Sequence, residues 1–412
     1  MLTIQRIQLE RAVRYFVCLT CLTGLFLVQA CQDDEEHLAP EPYQVLASIE
    51  KTEKIVFDDA VAALLEENNI NDEQLAPYRQ IKNMAALRSR VYKAHVITYH
   101  TTAPNGHPVV ASGVVYYPQS GTPKGVIEAI ALDKSRNMCA SRHLANTELL
   151  EGMAGYVILV ADRIGRGATE SMVLPNFYFN NVAQVCADLR RAATELVRNV
   201  YGRSMPSWTM ITGLSLSAPG AWTLARYYHQ HPELSVNVSE LWMMGGVYRP
   251  MLTFQYQLSR RQVDYAFIPN ALYSVNHYDS LGLDLGQVFR GELAMHYEEW
   301  CTGNVSMIEL TDLLGSDISQ YLNLDFFNES NDDYRRLCAS VERMAVATDW
   351  VPDCKVRVYH GRDDTIVPIA CSDEIVSYLQ SVGADVDYVI TETDHTDCAI
   401  AMAADMVKFL YW

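Results

Sequence analysis

Six short, almost unbroken apolar runs constrain this chain more than any other feature: residues 126–132, 156–161, 208–212, 241–244, 356–359 and 386–390. A strand with one wet face alternates apolar and polar residues, so a run without alternation has to be covered on both faces. Helical stretches separate the runs, and that alternation builds a mostly parallel sheet with helices on both sides. Two longer segments, 91–101 and 109–118, come first; they are rich in Val, Tyr and Thr and are joined by the turn cluster Pro104-Asn105-Gly106. They read as an antiparallel hairpin. The expectation is an α/β fold with an eight-stranded, mostly parallel sheet.

Residues 247–352 break the rhythm, with no convincing buried strand in 106 residues between the sixth and seventh strands. They hold 15 of the 41 aromatic residues in about a quarter of the length. Either a helical cap packs these rings on the sheet, or some of them line a pocket.

The N-terminus reads as an address. Arg6, Arg11 and Arg14 precede a mostly apolar stretch at 15–28, shorter than the roughly 20 residues of a spanning helix. The stretch ends in Leu27-Val28-Gln29-Ala30-Cys31, which resembles the lipobox of bacterial lipoproteins. That resemblance implies cleavage after residue 30, acylation of Cys31, and a membrane hold by acyl burial at about 0.8 kcal/mol per CH₂. Gln32-Asp33-Asp34-Glu35-Glu36 resembles the acidic export signal of Bacteroidetes-type lipoproteins, so the expected location is the outer membrane, surface-exposed or periplasm-facing. The chain then divides into a signal peptide (1–30), a tether (31–56), a helical lead-in (57–90), an α/β core (91–246 and 353–412) and the cap (247–352).

Charge and cysteines narrow the partners. The formal net charge is −18, from 32 Lys and Arg against 50 Asp and Glu, which opposes a nucleic-acid partner because neutralising phosphates needs clustered cations. Cys18 and Cys21 leave with the signal and Cys31 carries lipid, leaving seven of the ten cysteines: Cys139, Cys186, Cys301, Cys338, Cys354, Cys371 and Cys398. Export permits disulfides, and the odd count requires at least one free thiol. Beyond the signal no C-x-x-C or H-E-x-x-H pattern occurs, and His229 and His231 follow a helical stretch where His commonly meets the terminal carbonyls. No metal site is expected.

The run 208–212 leads into Gly213-Leu214-Ser215-Leu216-Ser217, followed by the helical pattern Ala221, Leu224, Ala225, Tyr228. A Ser on a sharp strand-to-helix turn stands clear of the sheet, and the helix N-terminus favours developing negative charge. Gly213 keeps one flank small, whereas Ser217 stands where the G-x-S-x-G pattern has its second Gly. Pro219 suits the first helical turn. Asp363 and Asp364 follow the seventh strand and His395 follows the eighth. Ser, acid and His, each just past a strand end, would meet on the carboxyl edge of a parallel sheet.

From residue 91 to 410 the chain resembles an α/β-hydrolase of the secretory lipase-like and esterase-like kind. Tyr99 to Gly113 matches the opening Y-x-T-x-x-x-x-G-x-P-V-x-A-S-G hairpin, His360 to Pro368 matches H-G-x-x-D-x-x-V-P, and Val160 to Gly167 is similar to the Asp-containing loop after the fourth strand. The resemblance implies a catalytic Ser215, Asp364 in preference to Asp363, and His395. It also implies backbone oxyanion donors at Leu216 and at Leu132 or Asp133, although Ala131-Leu132-Asp133-Lys134 replaces the His-Gly that many relatives carry after the third strand. The implied activity is hydrolysis of a small-molecule, glycan or lipid carboxylic ester through an acyl-enzyme, with no metal or organic cofactor. Two other readings stand beside it. A serine peptidase of the prolyl-oligopeptidase type shares the triad order, but such enzymes generally carry a large β-propeller where about 60 residues stand here. A catalytically silent lipoprotein that binds lipid or glycan is suggested by Ser217 and the altered oxyanion loop.

Overall fold

The computed structural model describes residues 38–56, 91–132, 139–144 and 154–411. The signal segment, Cys31, the expected lead-in helix at 57–90 and Asp133 lie outside the described residues. Among those described, the strands are β1 (Leu46–Val56), β2 (Val91–Thr102), β3 (Pro108–Pro118), β4 (Val126–Ala129), β5 (Val157–Ala161), β6 (Trp208–Leu214), β7 (Asn237–Met244), β8 (Lys355–Gly361) and β9 (Val386–Thr391). They form one sheet in the order β1-β2-β3-β5-β4-β6-β7-β8-β9. The pairs β1·β2, β2·β3 and β3·β5 are antiparallel, and the remaining five pairs are parallel.

Five of the six apolar runs become interior strands, with every residue of β4 and β5 buried, whereas the sixth, 386–390, forms β9 at the edge of the sheet, where no side chain is fully buried and the expected cover on both faces is incomplete. Adjacent side chains of a strand point to opposite faces. Met210 and Ile211 of β6 accordingly join different hydrophobic clusters. On the Ile211 face lie α1 (Phe179–Tyr201) and α2 (Ala218–Gln230); the inserted helices α3 (Pro250–Ser259), α4 (Phe267–Tyr278), α5 (Gly291–Glu299), α6 (Met307–Leu314) and α7 (Asp332–Glu342) join the same hydrophobic cluster, and α8 (Ala370–Ser381) lies on the Ile211 face as well. On the Met210 face, α9 (His395–Tyr411) lays Cys398, Met402, Met406 and Leu410 against Trp242 and Tyr359.

The expected eight strands become nine, because residues 46–56, read above as tether, form β1. Its sequence carries Glu50, Lys51, Glu53 and Lys54 and no apolar run, and most of its side chains are exposed. Backbone pairing with β2 holds it, from Leu46 opposite Tyr99 to Val56 opposite Val91. The Glu195 carboxylate of α1 clamps its start, accepting from the amides of Val45 at 3.0 Å and Leu46 at 2.9 Å. Charged side chains along an edge strand also discourage pairing with a further chain.

Residues 247–352, between β7 and β8, are helical and contribute no strand to the sheet among the described residues. Just over half of their aromatics are core: Tyr248, Phe254, Phe267, Phe289, Tyr321, Phe326, Tyr334 and Trp350 are buried in the same cluster as the sheet. The seven cysteines beyond Cys31 are all unpaired, so none of the disulfides that export would permit forms among the described residues. Six of the seven are buried and behave as small apolar side chains. Burial pushes their thiols up, to about 12 at Cys354. Among the described residues, no helix is long and apolar enough to cross a membrane.

Candidate active site

The end of β6 turns sharply into α2, and Ser215 sits on that turn with φ +52, in the left-handed region. Such a backbone costs a residue with a Cβ about 1–3 kcal/mol and persists only where its surroundings enforce it. Two neighbours do so. A Cβ on Gly213 would come within 2.6 Å of the Ser217 carbonyl oxygen, so only glycine lets the turn close. Ser217 staples it, its Oγ donating to the Leu214 carbonyl at 2.7 Å and accepting from the Leu214 amide at 3.1 Å. The residue that departs from the G-x-S-x-G pattern therefore braces the elbow.

Leu216 lies in the first turn after the elbow, where amides lack intrahelical partners. Leu132 lies just beyond β4, the sheet neighbour of β6, and the Ile130 amide donates to the Thr212 carbonyl at 3.0 Å. Both residues are thus at the same sheet edge as Ser215.

At the end of β8, Asp364 Oδ1 accepts from the amides of Ile366 and Val367, both at 2.8 Å. Its Oδ2 is 2.5 Å from Nδ1 of His395, the first residue of α9. Both side chains are buried, whereas Asp363 is exposed, which separates the two acid candidates. No hydrogen bond joins Ser215 to His395 among the described residues; they stand at the same edge after β6 and β9, with β7 and β8 between. In unliganded enzymes such bonds are often long and tighten only with substrate.

Several residues besides the triad candidates shape this edge, and of these sequence reasoning singles out only Gly361, in its H-G-x-x-D-x-x-V-P string. Gly245, just past β7, has φ +53, and a Cβ there would be 2.7 Å from Cε1 of His395 and 3.0 Å from its Nδ1. A Cβ on Gly361 would overlap the carbonyl oxygens of Thr393 and Asp394, so β8 accepts the His395 loop at close range. From the cap, Tyr256 of α3 donates to the Asp364 carbonyl at 3.3 Å, and Gln257 Nε2 donates to the carbonyls of Thr365 at 3.0 Å and Ile366 at 2.5 Å. The only signal available for Tyr256 and Gln257 was their place in the inserted segment.

The hairpin motif is scaffold. Thr101 donates to Asp188 of α1 at 2.8 Å, Ser112 donates to Asp162 at 2.6 Å, and a Cβ on Gly113 would be 2.9 Å from the Val160 carbonyl. Asp162, in the loop after β5, also accepts from the Ser141 amide at 3.2 Å. His229 and His231 pair separately with Asp353 and Glu233, and no cluster of three or more metal-ligating residues exists among those described.

No family description and no curated protein matches this sequence. Solved structures do match. A Legionella pneumophila protein provisionally described as a hydrolase shares 18% identity at a TM-score of 0.73, covering 89% of this chain and 97% of its own. The rice cell wall degrading esterase LipA from Xanthomonas oryzae matches at 18% identity and TM-score 0.69, covering 88% and 96%. This is the α/β-hydrolase fold. Candida antarctica lipase A shares it at 14% identity and TM-score 0.57, over 89% and 85% of the two chains. In an α/β-hydrolase the strand-to-helix elbow, the acid turn and the histidine loop lie on one sheet edge, as Ser215, Asp364 and His395 do here.

Proposed function

We propose that the protein is a serine hydrolase that cleaves carboxylic esters. The observation that carries this reading is the buried His395–Asp364 pair on the same sheet edge as a serine held in the left-handed region. With Asp364 accepting the Nδ1 proton, the Nε2 lone pair of His395 is free to take the proton of Ser215 Oγ. The Ser215 oxygen attacks the ester carbonyl carbon, and the carbonyl electrons move to oxygen. That oxyanion leans on backbone N–H groups, one at Leu216 and a second near Leu132 or Asp133. Collapse of the tetrahedral species breaks the bond to the alcohol, which leaves with the proton from His395. Water, deprotonated by His395, then attacks the acyl-enzyme and releases the acid and Ser215. Esterase and lipase structures of the same fold support an ester as substrate, of small-molecule, glycan or lipid origin. The lipobox-like segment supports an outer-membrane lipoprotein anchored through Cys31.

A fluorophosphonate probe and short-chain nitrophenyl esters test the reading together. Wild-type protein should be labelled and should turn the esters over, and Ser215→Ala should do neither. Equal labelling of both proteins would overturn it. Wild-type protein that shows neither labelling nor ester turnover would favour the silent lipid- or glycan-binding alternative.

A further inference from the structure

A second imidazole stands behind the acid, and the mechanism above does not use it. His360, the penultimate residue of β8, is completely buried. Its Nε2 lies 3.1 Å from the Val367 carbonyl oxygen and 3.3 Å from Asp364 Oδ2. Its Nδ1 lies 2.7 Å from the hydroxyl of Ser372, which is buried in the first turn of α8. A carbonyl oxygen can only accept, so the ring proton belongs on Nε2, directed between Val367 and Asp364. The neutral ring then accepts the Ser372 O–H at Nδ1. Burial pulls His360 below the usual imidazole range; His395 pushes the same way, while Asp364 and Asp373 of α8 oppose it.

We infer that His360 is a positioning residue for the proposed catalytic acid: Ser372 fixes its ring, and its Nε2–H steadies the Asp364 oxygen that His395 uses. The inference rests on the ester-hydrolase reading. Two backbone amides pin Oδ1 of Asp364, whereas Oδ2 faces only the two imidazoles among the described hydrogen bonds and ion pairs. His395 cycles between neutral and charged during turnover, so its pull on Oδ2 rises and falls. A buried donor that stays neutral restrains that oxygen throughout. Neutrality matters, because a cation at this place would cancel the carboxylate charge that stabilises protonated His395.

Removing the donor has a signed consequence. With one hydrogen bond fewer, Asp364 Oδ2 attracts charged His395 more strongly, so His395 holds its proton to higher pH. Since the base must be neutral to act, the acid limb of the kcat/KM profile moves to higher pH.

The experiment uses full-length protein, a short-chain nitrophenyl ester and the variants His360→Phe, His360→Gln and Ser372→Ala. For His360→Phe, kcat should fall about 10-fold or more, as when a supporting hydrogen bond behind an active group is lost. KM should stay within about twofold, and the acid limb should move up in pH. Gln places an N–H near the Nε2 position, so His360→Gln should recover most of the rate and the wild-type limb. Ser372→Ala should fall between the two. The downfield proton resonance of the His395 Nδ1–H reports the same contact without turnover, and it should move in His360→Phe and stay in His360→Gln. An unmoved limb and resonance in a His360→Phe protein that melts with the wild type would overturn the inference. Should His360→Phe fail to fold, the same unmoved pair in Ser372→Ala would overturn it. Wild-type protein without turnover would count against the hydrolase reading instead, and the resonance would still decide how Asp364 is held.

Discussion

Gly245 has the least chemistry of any residue at the site and the most geometric consequence. Its positive φ and the 2.7 Å approach of His395 Cε1 to a notional Cβ leave room for hydrogen alone. We predict that Gly245→Ala displaces the His395 ring and lowers kcat about 10²-fold, the cost of misplacing a reacting group by roughly 1 Å. Steady-state kinetics beside a thermal melt would check this; full activity in Gly245→Ala would show that the ring has slack. At this scale Ser215, Asp364 and His395 were legible because each chemistry leaves a local string: a small-flanked Ser before a helix, an H-G-x-x-D turn, a His after the last strand. Gly245 and His360 were not legible as parts of the site, because their importance lies in atoms brought close by other strands. A glycine pair after an apolar run reads simply as a turn, and the first His of a motif reads as part of its string. Ser217 looked like a weakened elbow until its two bonds to Leu214 were visible.

Among the elements, the interior strands were readable because burial on both faces forces a continuous apolar string. β1 was not, because its attachment is chiefly backbone pairing plus Glu195, which leave no mark in hydrophobicity, and Leu46 is its one buried side chain. The aromatic cap left two possibilities open, and the burial of just over half of its rings shows that those chiefly hold cap to sheet. One interior strand also carries a charge that its apolar neighbours concealed. Glu128 of β4 meets Arg190 of α1 at 3.1 Å and the Tyr228 hydroxyl of α2 at 2.8 Å, and Arg190 also donates to the Pro206 carbonyl at 2.7 Å. Burial pushes the Glu128 carboxyl up, and Arg190 pulls it back. Glu128→Ala would strand Arg190 without its carboxylate partner, and we expect a loss of about 3–5 kcal/mol in chemical denaturation. The apolar pair Glu128→Leu with Arg190→Met should recover most of it. A single Glu128→Ala variant as stable as wild type would show that the ion pair contributes nothing net.

For the whole molecule, the proposed anchor can be separated from the proposed chemistry. Cys31→Ser should move the protein from the membrane fraction to the soluble fraction while leaving ester turnover per molecule unchanged; continued sedimentation with membranes would remove the lipid-anchor proposal. The pairing of β1 with β2 has a consequence of another kind. Val56 and Val91 are register partners, so β1 ends beside the point where β2 begins, across an excursion of 34 residues in sequence. The entropy of closing such an excursion grows only with the logarithm of its length, by about 0.6 kcal/mol for each doubling. The junction is therefore a port in the architecture. Added length between these two strand ends should close at little entropic cost, on the flank of the sheet opposite β9.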